Sequence, residues 1–140
     1  MHVLFIEDDP RDVELVRVAL ARSDMPVELI SVPDETKAVD FLLRRGEHAG
    51  RPSELPAVIF LDLMLEGARR SDLIPTLRSH DGLAWVPIVM LTASAEPADV
   101  AECYRRGANA YMVKPIDMAE FAENFARALR FWTEINQQVR

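Results

Sequence analysis

One cysteine, Cys103, in 140 residues excludes an internal disulfide and a cysteine-ligated metal centre. Glycine is also scarce, at five residues, which excludes collagen-like and linker-rich chains. No apolar run approaches the roughly 20 residues that a membrane span needs, and no N-terminal signal is recognisable, so a cytoplasmic protein is expected. Positive charge is in deficit: sixteen Lys+Arg stand against 23 Asp+Glu, a net charge of -7. That balance opposes nucleic acid and anionic membrane as partners and favours a cationic partner or a bound metal. Lysine itself is rare, since only Lys37 and Lys114 interrupt an otherwise all-arginine set of cations. What is present is a hydrophobic fraction of 49%, enough for one core in a chain of single-domain length. One domain is expected over residues 1–130, with 131–140 as an extension of the last helix and no separate output domain.

Short apolar runs alternate five times with amphipathic stretches. His2 to Ile6, Glu28 to Val32, Ala57 to Leu61, Val86 to Leu91 and Ala110 to Val113 read as strands, four of them nearly without polar residues and so covered on both faces. Between them, Pro10 to Ser23 has Asp9 as N-cap and Pro10 in the first helical position. Asp34 to Arg45 stops at Gly46, Ser71 to Ser79 is short, and Pro97 to Arg106 closes at Gly107. A last helix starts at Asp117 and Glu120 and carries the apolar stripe Met118, Phe121, Phe125, Leu129, Trp132 and Ile135. Five such alternations imply right-handed crossovers and an α/β, doubly wound parallel sheet. The expected strand order is 2-1-3-4-5, as in flavodoxin-like folds, with the functional crevice at the carboxyl ends of strands 1 and 3.

Those ends carry acids. Strand 1 runs into Glu7, Asp8 and Asp9, and strand 3 into Asp62, while strand 4 ends at Thr92 and strand 5 at Lys114. Two carboxylates about 4 Å apart repel by roughly 4 kcal/mol at an effective dielectric near 20, so the cluster calls for a cation beyond Lys114. A magnesium ion, with carboxylate, water and phosphoryl oxygens around it, suits that set. Phosphoryl chemistry follows, with Asp62 as nucleophile and Lys114 and Thr92 holding phosphoryl oxygens. An acidic triplet before a helix also serves simply as cap and dipole partner, and Asp9 is mostly that. His2, His48 and His80 are scattered, with surface or strand-end roles expected, and Cys103 has no histidine partner.

The stretches VLFIEDDPRD, VIFLDLML, IVMLTAS and GANAYMVKPI resemble, together and at these spacings, the receiver domain of two-component response regulators from Val3 to about Arg130. The resemblance implies a signalling phosphoprotein in a phosphorelay, modified on Asp62 and catalysing only its own modification rather than acting as an enzyme on a metabolite. It implies that Glu7, Asp8, Asp62 and the backbone carbonyl of Met64 hold Mg2+. It also makes Thr92 and Tyr111 the switch, the ring moving inward on phosphorylation, Lys114 the phosphoryl-contacting lysine, and Lys114–Pro115 a cis bond. The ending FARALRFWTEINQQVR and the loop Gly46 to Pro56 resemble single-domain regulators paired with phytochrome-type histidine kinases. A sensor histidine kinase, and downstream a histidine phosphotransfer protein or another protein, are the implied partners.

One stretch departs from the family. After Asp62 the chain reads LMLEGARRSD, with Glu66 and Arg70 where proline and glycine are common, and Gly67 is the residue suited to a positive φ. The departure keeps a second class open, a degenerate receiver that binds partners without phosphorylation. The last helix, if it ran from Asp117 to about Gln138, would span roughly 33 Å and outreach strands of some 17 Å. That predicts a homodimer through its end, together with the fourth helix, the fifth strand and the fifth helix.

Overall fold

In the computed structural model, which describes residues 1–139, one five-stranded parallel sheet lies between two layers of helices. Its strands are β1 (His2–Ile6), β2 (Glu28–Val32), β3 (Ile59–Leu61), β6 (Ile88–Thr92) and β7 (Ala110–Val113), in the order β2-β1-β3-β6-β7. Counted within the main sheet this is 2-1-3-4-5, and every pairing is parallel. The intervening pair β4 (Met64–Leu65) and β5 (Ala68–Arg69) is a small antiparallel hairpin outside that sheet.

Alternation along each strand divides the core. Leu4, Ile6, Ile59, Leu61, Ile88 and Met90 face one side, where α2 (Glu35–Leu42), α3 (Leu73–Arg78) and α4 (Pro97–Arg105) cover them. Val3, Phe5, Phe60, Val89 and Leu91 face the other, against α1 (Pro10–Ser23) and α5 (Met118–Arg130). On that side the Phe60 and Phe125 rings lie 5.2 Å apart and Phe121 stacks on Phe125 at 5.8 Å, inside the range where ring pairs attract.

Capping follows the expected residues in three places. Asp9 accepts from the Arg11 amide, Asp34 from Lys37 and Asp117 from Glu120, each satisfying a first-turn donor. Gly107, at φ 112, closes α4. The stop of α2 differs from expectation: the helix ends at Leu42, and Arg44, at φ 55, takes the left-handed position ahead of Gly46.

The last helix is shorter than the spacing predicts. After Arg130 the chain makes one π-helical turn, Phe131–Ile135, and Asn136 leaves the helix with φ -63 and ψ 130. The Thr133 hydroxyl donates to the Leu129 carbonyl at 2.6 Å, and the Asn136 amide reaches back five residues to Phe131 at 2.7 Å. Side-chain bonding to the preceding turn loosens the ladder there, and the helical run of Met118 to Ile135 spans about 27 Å. Trp132 packs against the α1 and α5 side of the core instead of projecting past it. Arg140, the end of the expected extension, lies outside the described residues.

His2 stands at a strand end, as expected, but away from the surface. His2 is buried, edge-on to Phe41, which also meets His48 and carries the Arg51 guanidinium 3.5 Å above its ring. This packing joins the loop after α2 to the start of the sheet. Cys103 is buried in the α4 core. No helix among the described residues is long and apolar enough to cross a membrane. Phe125→Ala is expected to lower the unfolding free energy by about 3–5 kcal/mol, as a fall in urea midpoint at unchanged slope.

Candidate functional site

Sheet register assembles the site. Ile6 pairs with Leu61 and Thr92 with Val113, so the residues that follow, Glu7, Asp62 and Lys114, emerge together at one edge. Backbone bonds hold these exits: the Asp62 amide donates to Ile6, Glu7 to Val32 and Lys114 to Thr92.

The Lys114 ammonium lies 2.9 Å from Asp62 Oδ2, 3.2 Å from Asp12 Oδ2 and 4.0 Å from Glu7 Oε2. Oxygens of Glu7, Asp12 and Asp62 all fall within 4.8 Å of one another. Asp62 also accepts from the Met64 amide at 3.1 Å, and Glu7 Oε1 accepts from Asp9 at 3.0 Å. Glu7 Oε2 is buried and has no protein donor.

Burial, then the hydrogen bond and the negative charge of Asp62, push the Glu7 carboxyl up to about 9. Burial would also raise Asp62, but the hydrogen bond from Glu7 and the charge of Lys114 outweigh it and hold Asp62 below its ordinary value. Lys114 loses basicity by burial and gains more from Asp62, so it stays charged. Of the two acids, Glu7 therefore holds its proton to higher pH and Asp62 gives its proton up more easily, beside the Lys114 ammonium. An oxygen-only donor set with an orphaned buried carboxylate oxygen fits a hard divalent cation, which would replace that proton.

The sequence-predicted residues do not all meet. Glu7, Asp62 and Lys114 do, Thr92 reaches them through its backbone carbonyl, which accepts the Lys114 amide, and Asp8 lies outside the acidic cluster. Adjacent side chains at a strand end point opposite ways, so Glu7 turns inward while the exposed Asp8 accepts the Glu66 amide at 2.9 Å. Asp12 joins Glu7 and Asp62 as a further acid. It lies three residues after the Asp9 cap, a spacing that turns an N3 side chain back toward the helix start, and this was the readable signal.

Thr92 is buried, and its hydroxyl oxygen sits 3.5 Å from the Ser94 amide. The Tyr111 ring packs on the core, and its hydroxyl donates to the Ser94 carbonyl at 2.9 Å. No peptide bond among the described residues is cis, so Lys114–Pro115 is trans, the form that X–Pro bonds favour by about 0.5–1 kcal/mol. The departing loop is the β4–β5 hairpin. Leu65 pairs with Ala68 across Glu66 and Gly67, at φ 54 and 77, the signs of a type I′ two-residue turn. Gly67 does supply a positive φ, and Glu66 supplies a second one.

The sequence matches the response regulator receiver domain over residues 3–126. The chain belongs to the response regulator receiver family. This receiver is 30% identical over 132 residues to the response regulator Rcp1 of Synechocystis sp., covering 94% of this chain and 88% of Rcp1. The Mn(2+)-bound form of Rcp1 superposes with TM-score 0.84 at 28% identity, over 99% of both chains. The phosphorylated cyanobacterial phytochrome response regulator RcpA gives TM-score 0.87 at 26% identity, over 99% of this chain and 98% of that one. The bacteriophytochrome response regulator RtBRR gives 0.76 at 40% identity, over 99% and 83%. Of transcriptional regulators among its relatives, GltR of Pseudomonas aeruginosa and MtrA of Mycolicibacterium smegmatis, the receiver spans about half the length.

The raised Glu7 has a defined sign in stability. Its folded value of about 9 exceeds the ordinary 4.5, so its contribution is complete below 4.5 and is lost as pH rises toward 9. In divalent-free buffer, Glu7→Gln is expected to flatten the loss of stability between pH 5 and 9, as read by urea titration at each pH. An unchanged slope in the variant would place the titrating proton elsewhere.

Proposed function

We propose that this receiver accepts a phosphoryl group from a histidine kinase onto Asp62. The observation that carries this reading is the Lys114 ammonium, 2.9 Å from the buried Asp62 carboxyl at the edge where four strands end. The Asp62 oxygen forms its bond to phosphorus as the phosphorus–nitrogen bond of phosphohistidine breaks. Lys114 and the Thr92 hydroxyl hold phosphoryl oxygens as charge passes to them. Glu7, Asp8, Asp62 and the Met64 carbonyl are the assigned holders of Mg2+, with Asp12 the further acid that the geometry adds. The ion, when bound, neutralises charge between carboxylate and phosphoryl oxygens. Thr92 and Tyr111 are the switch residues, and the output is a changed surface, not turnover of a metabolite.

A phytochrome-type kinase is the partner that the names of two structural neighbours support, the phytochrome response regulator RcpA and the bacteriophytochrome response regulator RtBRR. A histidine phosphotransfer protein suits the downstream side, and the cytoplasm is the compartment where such partners meet. Residues 1–130 are assigned to the receiver and 131–140 to its C-terminal extension. A second reading, a receiver that binds partners without phosphorylation, draws on the hairpin that replaces the family loop. Intact mass after incubation with acetyl phosphate and magnesium separates the two: one adduct is expected for wild type, and none for Asp62→Asn or with EDTA. A folded, metal-binding wild type that takes no phosphoryl group from acetyl phosphate or from a kinase would favour the second reading.

A homodimer through the α4, β7 and α5 face and the C-terminal end is part of the same proposal. Val113, Ile116 and Met118 are exposed on that face, and Phe131 and Ile135 beyond it. Ile135→Asp is expected to weaken self-association more than tenfold, since burying an isoleucine contributes about 1.5–3 kcal/mol. Sedimentation showing a monomer at every concentration would end the dimer proposal.

A further inference from the structure

The hairpin has a second set of ties. Its turn amide, at Glu66, donates to Asp8, and its first strand reaches Asp62 through the Met64 amide. Across the two-residue turn Met64 is paired with Arg69, whose guanidinium donates to Asp99 Oδ1 at 3.0 Å. Asp99 lies in the first turn of α4 and is largely buried, and its other oxygen accepts the Ser94 hydroxyl at 2.6 Å. Ser94 is the residue whose carbonyl accepts the Tyr111 hydroxyl and whose amide faces Thr92. A continuous series of polar contacts thus runs from Asp62 through Met64, Arg69, Asp99 and Ser94 to both switch residues, outside the direct space between Asp62 and Thr92.

The turn makes this path stiff. With Glu66 and Gly67 both in the left-handed region, the hairpin has one twist, and Arg69 is presented at a set distance from Met64. Arg70 anchors the base by its amide to Leu63 and by its guanidinium to Glu35 and Asp72.

We propose that Arg69 is a positioning residue: by holding Asp99 and Ser94 it keeps the loop after β6 and the Tyr111 ring in the inward arrangement before any phosphoryl group is present. The switch of this receiver is thereby biased by its own hairpin, and phosphorylation acts on an equilibrium already displaced. This inference rests on the reading of Thr92 and Tyr111 as the switch.

Tyr104 and Tyr111 are the two tyrosines, so 3-fluorotyrosine in a Tyr104→Phe background gives one fluorine reporter at position 111. In the unphosphorylated protein that resonance is expected to show the small solvent-isotope shift of an inward ring. Arg69→Ala and Asp99→Asn are each expected to move it toward the exposed position, by about two- to fivefold in the inward/outward ratio, the range of a partly exposed ion pair. Acetyl phosphate with magnesium should bring the variants back, Arg69→Lys should restore part of the effect, and the double variant should add nothing to either single one. Arg69 is mostly exposed, so its removal leaves the fold intact, to be checked by the urea midpoint. A Tyr111 resonance that is the same in Arg69→Ala as in wild type would overturn the clamp. If neither acetyl phosphate nor a kinase modifies wild type, the phosphoacceptor reading fails instead, and the fluorine comparison without phosphoryl donor still decides the clamp.

Discussion

A buried ammonium among three carboxylates organises this molecule. Lys114 meets Asp62 at 2.9 Å and Asp12 at 3.2 Å, with Glu7 beyond, in a place where each of these groups alone would be costly. The arrangement is tolerable because the charges alternate and because one acid, Glu7, keeps its proton. The same features make the site receptive. A group that must hold a proton in order to be buried will release it to a divalent cation, and a carboxylate held ionised beside an ammonium is a nucleophile with a counter-charge already in place.

The sheet is the device that brings these groups together. Glu7, Asp62 and Lys114 are far apart along the chain, yet each lies just beyond the carboxyl end of a parallel strand, and parallel register stacks those ends, while Asp12 enters from the first turn of α1. The apolar layers of Phe60, Phe121 and Phe125 on one side and of Leu61, Ile74 and Met90 on the other keep the strands from sliding. Core and site are therefore one construction: a slip of one residue would turn Asp62 away from Lys114 and bury it in a helix layer.

The hairpin after Asp62 gives this receiver its individual character. Glu66 and Gly67 form a tight turn in a loop that joins β3 to α3, and the turn couples Asp8 at one end with Asp99 at the other. Residues outside the acidic cluster thereby gain a say in how the phosphoacceptor region and the Tyr111 region relate. The inward ring, bonded to Ser94, belongs to that coupling.

Much of this was legible in the residues themselves. Apolar strands followed by Glu7, Asp62, Thr92 and Lys114, separated by capped amphipathic helices, determined the strand order and which strand ends share one edge, because period, caps and crossover handedness are local rules that hold in any context. The positions of Asp8 and Asp12 were not determined that way, since which of two nearby acids turns inward depends on the exit direction of β1 and the first turn of α1. Nor was the end of α5, where Thr133 bonds back to Leu129. The burial of His2 against Phe41 and the ties of Arg69 were likewise decided by the tertiary structure. Each depends on which partner arrives from a distant part of the chain, and a sequence specifies the reach of a side chain without specifying what stands within that reach.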